Sequence, residues 1–415
     1  MIEFEKFKLD NGLTVLFHRD VTTPMAVVNT LYDVGARDES EDKTGFAHLF
    51  EHLMFGGSIH IPEFDTPLQQ AGGENNAFTS NDITNYYNVL PGNNLETALW
   101  LESDRMLSLA FTPKSLEVQR NVVIEEFKQR YLNQPYGDVW LELRPLAYKV
   151  HPYKWATIGK EIRHIEDAKM EDVRAFFQKY YVPSNAILCI AGNFELDFIK
   201  EVVTKWYGDI PSGKKPHRIL PVEPQQEEYR EKIIERNVPT DAFYYAFKMP
   251  ERRDPSYYIT DLLSDALGRE KSSRLYVALK KEQQLVSSIS AYITGSIDHG
   301  LLVISGKLND GKTFEELDKA LWEVLELTKS KQMSSEELER LKIKIQTEKA
   351  FAEQGLLNRA MNLCSFELLG DANGINEEKE IYQAINTEHI QEIANAILIR
   401  TNCSLLKVKA KKDAK

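Results

Sequence analysis

The 415-residue sequence is poor in the features that mark a membrane span, a disulfide scaffold or a nucleic-acid complex. No stretch approaches the roughly 18 uninterrupted apolar residues that a membrane-spanning helix needs, so no membrane is expected among its partners. Cysteine is scarce: Cys189, Cys364 and Cys403 are odd in number, widely spaced and set among apolar residues. That is the pattern of buried free thiols, not of a disulfide framework. Basic charge is short as well, since 51 Lys and Arg face 63 Asp and Glu, for a net charge of −12. Without a basic stripe or a phosphate loop, nucleic acid is not an expected partner. The acidic start Met1-Ile2-Glu3-Phe4-Glu5 lacks the basic and apolar run of a secretory signal, which together with free thiols points to the cytoplasm.

What is present is a globular composition, 42% hydrophobic and 27% charged, in a chain too long for one ordinary core. Pro211, Pro216, Pro221 and Pro224 break the pattern midway. The division expected from them is a domain over 1–215, a linker over 216–233 and a second domain over 234–415. Each side mixes strand and helix patterns, an α+β class with mainly antiparallel sheets. The sides also look alike. Glu171 to Asn185 and Glu388 to Asn402 each read as an amphipathic helix and a short connection leading into an apolar strand. Two homologous domains related by internal duplication are therefore expected. Near the start, Asn11-Gly12 between two short apolar-alternating runs predicts a hairpin.

The chemistry is concentrated at His48-Leu49-Phe50-Glu51-His52. Phe46, Leu49, Phe50 and Leu53 make one buried stripe of a helix that Thr44 can cap and Gly56-Gly57 can end. His48 and His52 then share another face and can reach one cation, with Glu51 beside them to take a proton from the attacking water. With 9 His and 63 acidic residues, roughly 0.02 to 0.03 such motifs are expected by chance per chain. A zinc site needs a third protein ligand. The helix predicted after Thr112-Pro113 offers two, Glu125 and Glu126, and periodicity does not choose between them.

With its His-x-x-Glu-His at 48–52 and its Val-Val-Ile-Glu-Glu at 122–126, the sequence resembles the pitrilysin and insulin-degrading enzyme family, nearest the short branch that includes mitochondrial processing peptidase. The resemblance spans the chain. It implies a zinc metalloendopeptidase with one Zn2+ per chain, held by His48, His52 and Glu126, and with Glu51 as the catalytic base. Gln119, seven residues before Glu126, stands where the family commonly has a supporting glutamate; outer-shell partners tune ligand orientation and basicity, so a shifted affinity is expected, although an amide can still hydrogen-bond. The resemblance also makes Asn76, Ala77, Phe78 and Thr79 the strand edge that a peptide substrate joins.

In the second half the family places an Arg and a Tyr on the substrate and oxyanion, where this chain has Lys280 and Ser287. A missing oxyanion donor costs on the order of 3 kcal/mol in barrier. A dimer is therefore expected, closing a chamber; among the family's arrangements, a heterodimer with a metal-free homologous subunit that supplies the pair suits this loss, and the sequence does not choose between it and a homodimer. The rival expectation is a non-catalytic peptide-binding or scaffold subunit of a peptidase complex.

Overall fold

The computed structural model describes residues 1–411, so the last four residues of the expected 234–415 domain lie outside the described residues. Around Asn11-Gly12 the chain forms the hairpin of β1 (Glu5–Lys8) and β2 (Thr14–Arg19), and Gly12 supplies the left-handed turn at φ +91°. With β3 (Met25–Tyr32), β4 (Glu74–Thr79), β5 (Thr84–Pro91) and β6 (Ala186–Gly192) it builds a sheet ordered β1-β2-β6-β3-β5-β4. Only β2 and β6 run parallel. β6 is buried at every residue, as expected of a central strand covered on both faces.

Four helices follow the early strands: α1 (Phe46–Leu53), α2 (Asp65–Gln70), α3 (Leu95–Leu107) and α4 (Pro113–Phe127). Asn85 and Asn88, three residues apart on β5, point to opposite faces of the sheet. Asn88 donates to Glu102 of α3. Asn85 exchanges hydrogen bonds with Asn29, whose amide also reaches Cys364 on the helix Leu356–Leu369. That helix buries Ala360, Leu363 and Cys364 against Leu16, Val27, Leu31 and Cys189.

A second sheet comprises β7 (Arg230–Arg236), β8 (Ala242–Lys248), β9 (Val286–Ile293), β10 (Leu301–Leu308) and β11 (Cys403–Ala410), ordered β7-β11-β8-β10-β9. Only β7 and β11 are parallel. Strand for strand, this repeats β2-β6-β3-β5-β4 in order and direction, the internal repeat that the sequence suggests. The repeat reaches single side chains. Asn185 donates to the Tyr180 carbonyl at 2.9 Å, and Asn402 donates to the Ile397 carbonyl at 3.0 Å, each just before its strand. In the second sheet the helix after β8, Ser256–Gly268, contains no histidine.

The chain forms two compact units. The first joins Met1–Phe127, Trp155–Leu220 and Lys349–Glu377; the second joins Lys128–Lys154, Pro221–Glu348 and the chain from Glu378 onward. Strands β1 to β6 precede 216–233 and β7 begins inside it at Arg230, and two helical segments pack with the sheet of the other half of the sequence. α5 (Val139–Ala147) buries Val139 and Leu143 against Ala242, Val303 and Leu406, and Leu356–Leu369 belongs to the first unit. A sheet with one helical layer leaves its other face wet, and these segments cover it. All three cysteines are buried and free, and among the described residues no helix is long and apolar enough to cross a membrane.

Candidate metal centre

α1 begins at a residue that only glycine fills easily. Gly45 has φ +87°, and a Cβ there would stand 2.7 Å from the Ile158 carbonyl oxygen. Thr44 does not cap the helix. Its hydroxyl is turned to His164 Nδ1 and accepts from the Lys160 N–H. The cap is Glu39, which lies outside the usual capping window: its carboxyl accepts from the Gly45 N–H at 2.9 Å and the Ala47 N–H at 2.8 Å. Burial pushes the Glu39 carboxyl up to about 8, in opposition to those two donors.

The apolar stripe of α1 is buried as the spacing predicts, with Phe50 stacked on Tyr181 at 5.0 Å and beside Phe176. Full burial of such a ring is worth roughly 1.5–3 kcal/mol and fixes the rotation of the helix about its axis. His48 and His52 consequently face α4. Val123 and Phe127 anchor α4 in the core, and Thr112 caps its start by accepting from the Ser115 N–H at 3.0 Å. Pro113 is its first residue.

Three side chains converge at this contact. His48 Nε2 lies 3.6 Å and His52 Nε2 3.4 Å from Glu126 Oε2, and one ligand atom from each residue falls within 4.8 Å of the others. The imidazole rings meet edge to face at 4.9 Å. Side-chain exposures of 13%, 23% and 17% leave the group reachable from solvent. Between the two acids on α4 the structure selects Glu126; Glu125 is exposed and outside the group. A tetrahedral zinc with bonds of about 2.0–2.1 Å spaces its ligand atoms about 3.4 Å apart, close to the two imidazole-to-carboxylate distances here.

Glu51 projects beside the group toward β4, where the Thr79 hydroxyl donates to its Oε2 at 2.6 Å. Burial raises the Glu51 carboxyl above the usual carboxylate range, in opposition to the Thr79 hydroxyl, which favours the anion. β4 is an edge strand, paired only with β5 through Asn76 opposite Tyr87 and Thr79 opposite Thr84. Of the residues expected to meet substrate, Phe78 is 37% exposed, Asn76 is exposed with its Oδ1 turned back to the Ala77 N–H, and Ala77 is half-buried. Thr79 turns its hydroxyl to Glu51.

Phe55, just past α1, sits in an aromatic group with Phe64 and Tyr86 around the buried Arg105 guanidinium, which stacks on Phe64 and Tyr86 at 4.4 Å and pairs with Glu102. This cation is invisible in sequence because Arg105 carries no motif. Gln119 lies half-buried on α4, two turns before Glu126. His18, His60 and His151 stay outside the metal group, turned to the Glu3 carbonyl, Asp104 and Asp298 respectively. In the second unit, Lys280 stacks on Tyr276 at 5.3 Å, and Ser287 on edge strand β9 donates to the Lys307 carbonyl at 3.4 Å.

A repeated sheet-and-helix unit thus carries two imidazoles and a carboxylate converging on one helix pair. Residues 14–154 match the insulinase family (peptidase family M16), and residues 167–345 match the peptidase M16 inactive domain. The zinc protease PqqE of Helicobacter pylori is 28% identical over 397 residues, which span 94% of this chain and 89% of that protein. The mitochondrial-processing peptidase subunit beta of Saccharomyces cerevisiae is 26% identical over 313 residues, 71% of this chain and 66% of that one. The crystal structure of a protease from Helicobacter pylori matches with a TM-score of 0.92 at 26% identity, covering 99% of this chain and all of that chain. The chain belongs to the insulinase family, also called the pitrilysin and insulin-degrading enzyme family, in its two-domain branch.

Proposed function

We propose that this chain is a zinc metalloendopeptidase that hydrolyses internal bonds of peptides or small unfolded polypeptides. The observation that carries the reading is the convergence of His48, His52 and Glu126 within 4.8 Å, with Glu51 beside them. One Zn2+ per chain held there would acidify water and polarise the scissile carbonyl. Glu51 takes the proton of the attacking water and returns it to the leaving amine. The outer edge of β4, at Asn76, Ala77 and Phe78, receives the substrate backbone as an added strand, and pairing through main-chain groups suits a broad sequence preference. Gln119 supports the ligand helix as a hydrogen-bonding amide in place of a carboxylate.

Lys280 and Ser287 leave this chain without an Arg and Tyr pair, so the oxyanion donor comes from a partner subunit that closes a chamber, and the complex works in the cytoplasm. A relative named as a subunit supports pairing. The second reading, a non-catalytic peptide-binding scaffold, draws on the same two residues and on the inactive-domain match over 167–345. A quenched-peptide assay with and without a chelator separates the two. Chelator-sensitive cleavage by the chain with its partner supports the peptidase, and peptide binding without cleavage at full zinc loading supports the scaffold. Full activity from a pure monomer or homodimer in size-exclusion chromatography would remove the partner from the account.

A further inference from the structure

β4 carries an edge open to a peptide and, on the side chain of its last residue, a hydrogen bond to the base. Strand alternation places Asn75, Ala77 and Thr79 on the half-buried side and Asn76 and Phe78 on the exposed side. On the first side, Asn75 is spent on Asp65, 2.8 Å away, and Ala77 has no polar group. Thr79 donates to α1 through the 2.6 Å bond from its Oγ1 to Glu51 Oε2. Its cross-strand partner Thr84 is itself fixed, donating to the Val34 carbonyl at 2.9 Å.

Resting on the peptidase reading above, we propose that Thr79 is a positioning residue for Glu51: its hydroxyl, bonded to one carboxylate oxygen, leaves the other turned to the attacking water. An unrestrained glutamate samples several staggered rotamers. One short charge-assisted bond to a strand residue selects among them, at a site where small misplacements are costly in rate. Because the bond comes from the strand that the peptide joins, a bound substrate also stiffens the element that aims the base. Thr79 then acts on the rate and not on substrate affinity, in contrast to Asn76 and Phe78.

The test compares Thr79→Val, which keeps the shape and removes the donor, with Thr79→Ser, which keeps the donor. The expected result for Thr79→Val is a loss of about 10- to 100-fold in kcat, the range for partners that orient a metal site. KM and zinc content should be unchanged, and Thr79→Ser should restore kcat. Affinity for a fluorescent peptide, measured in the Glu51→Gln background, should be the same with and without Thr79→Val. A rise in KM or a loss of peptide binding with kcat intact would make Thr79 a substrate contact and overturn the proposal, as would an unchanged kcat. If the zinc-loaded wild type with its partner shows no chelator-sensitive turnover, the peptidase reading itself fails. The crystal structure of Thr79→Val then decides the positioning role: a Glu51 carboxylate that stays in place refutes it, and a displaced one supports it.

Discussion

Glu125 and Glu126 are neighbours on one helix, yet only one of them meets the imidazoles, because successive helical residues point about 100° apart and Val123 and Phe127 fix which side of α4 is buried. At this scale the sequence is legible wherever spacing alone sets geometry: His48 and His52, four apart, had to share a face once Phe46, Leu49, Phe50 and Leu53 were buried. It is not legible where a side chain acts across the fold. Nothing local to Thr79 says that its hydroxyl turns to Glu51, 28 positions away. Glu51→Gln keeps the size of the side chain but cannot accept the proton of water, so zinc analysis should find the wild-type metal content while peptide turnover falls below detection.

The elements that position the site depend on caps. Thr112 before Pro113 follows the ordinary start signal and holds as expected. Thr44 looks equally good in sequence, yet its hydroxyl is taken by His164 and Lys160, and Glu39 serves α1 from a preceding turn. The physical reason is Gly45, whose left-handed backbone turns the chain so that Thr44 faces away from the helix axis. Glu39→Ala leaves two buried N–H groups without an acceptor, each worth about 1–3 kcal/mol. Thermal unfolding of the metal-free variant should show a clearly lowered Tm. The first turn of α1 carries His48, so zinc affinity should fall as well, and an unchanged Tm would remove Glu39 from the helix start.

On the scale of the whole molecule, the repeat was readable because helix, connection and strand recur at one spacing in both halves. The exchange of 128–154 and 349–377 between units was not, because no local pattern says which sheet a helix covers. The proline-rich segment 211–224 is fastened within each unit. Arg218 bonds Asp38 at 2.6 Å and Asp33 at 3.0 Å in the first. In the second, Glu223, nearly fully buried, accepts from the backbone N–H groups of Lys149, Val150 and His151 and from Lys248. Although burial alone would raise it, the His151 N–H, the Lys248 ammonium and the other donors hold the Glu223 carboxyl down to about 2. The unfolded chain protonates this carboxyl near 4.5 and the folded chain only near 2. Its contribution, on the order of 3 kcal/mol, is therefore complete above the unfolded value and lost as pH falls through the folded one. Urea titrations from pH 7 to pH 2 should show wild type and Glu223→Gln far apart at neutral pH and converging in acid; a constant difference would contradict this.

The proposed function rests on side chains from two helices holding one zinc ion. The direct measurement is the zinc stoichiometry of the purified chain after dialysis against metal-free buffer, compared across Glu126→Gln, Glu125→Gln and His52→Ala. One zinc per chain is expected in the wild type and in Glu125→Gln, and a large loss in the other two. Zinc retained without Glu126 and His52, or lost only without Glu125, would contradict it.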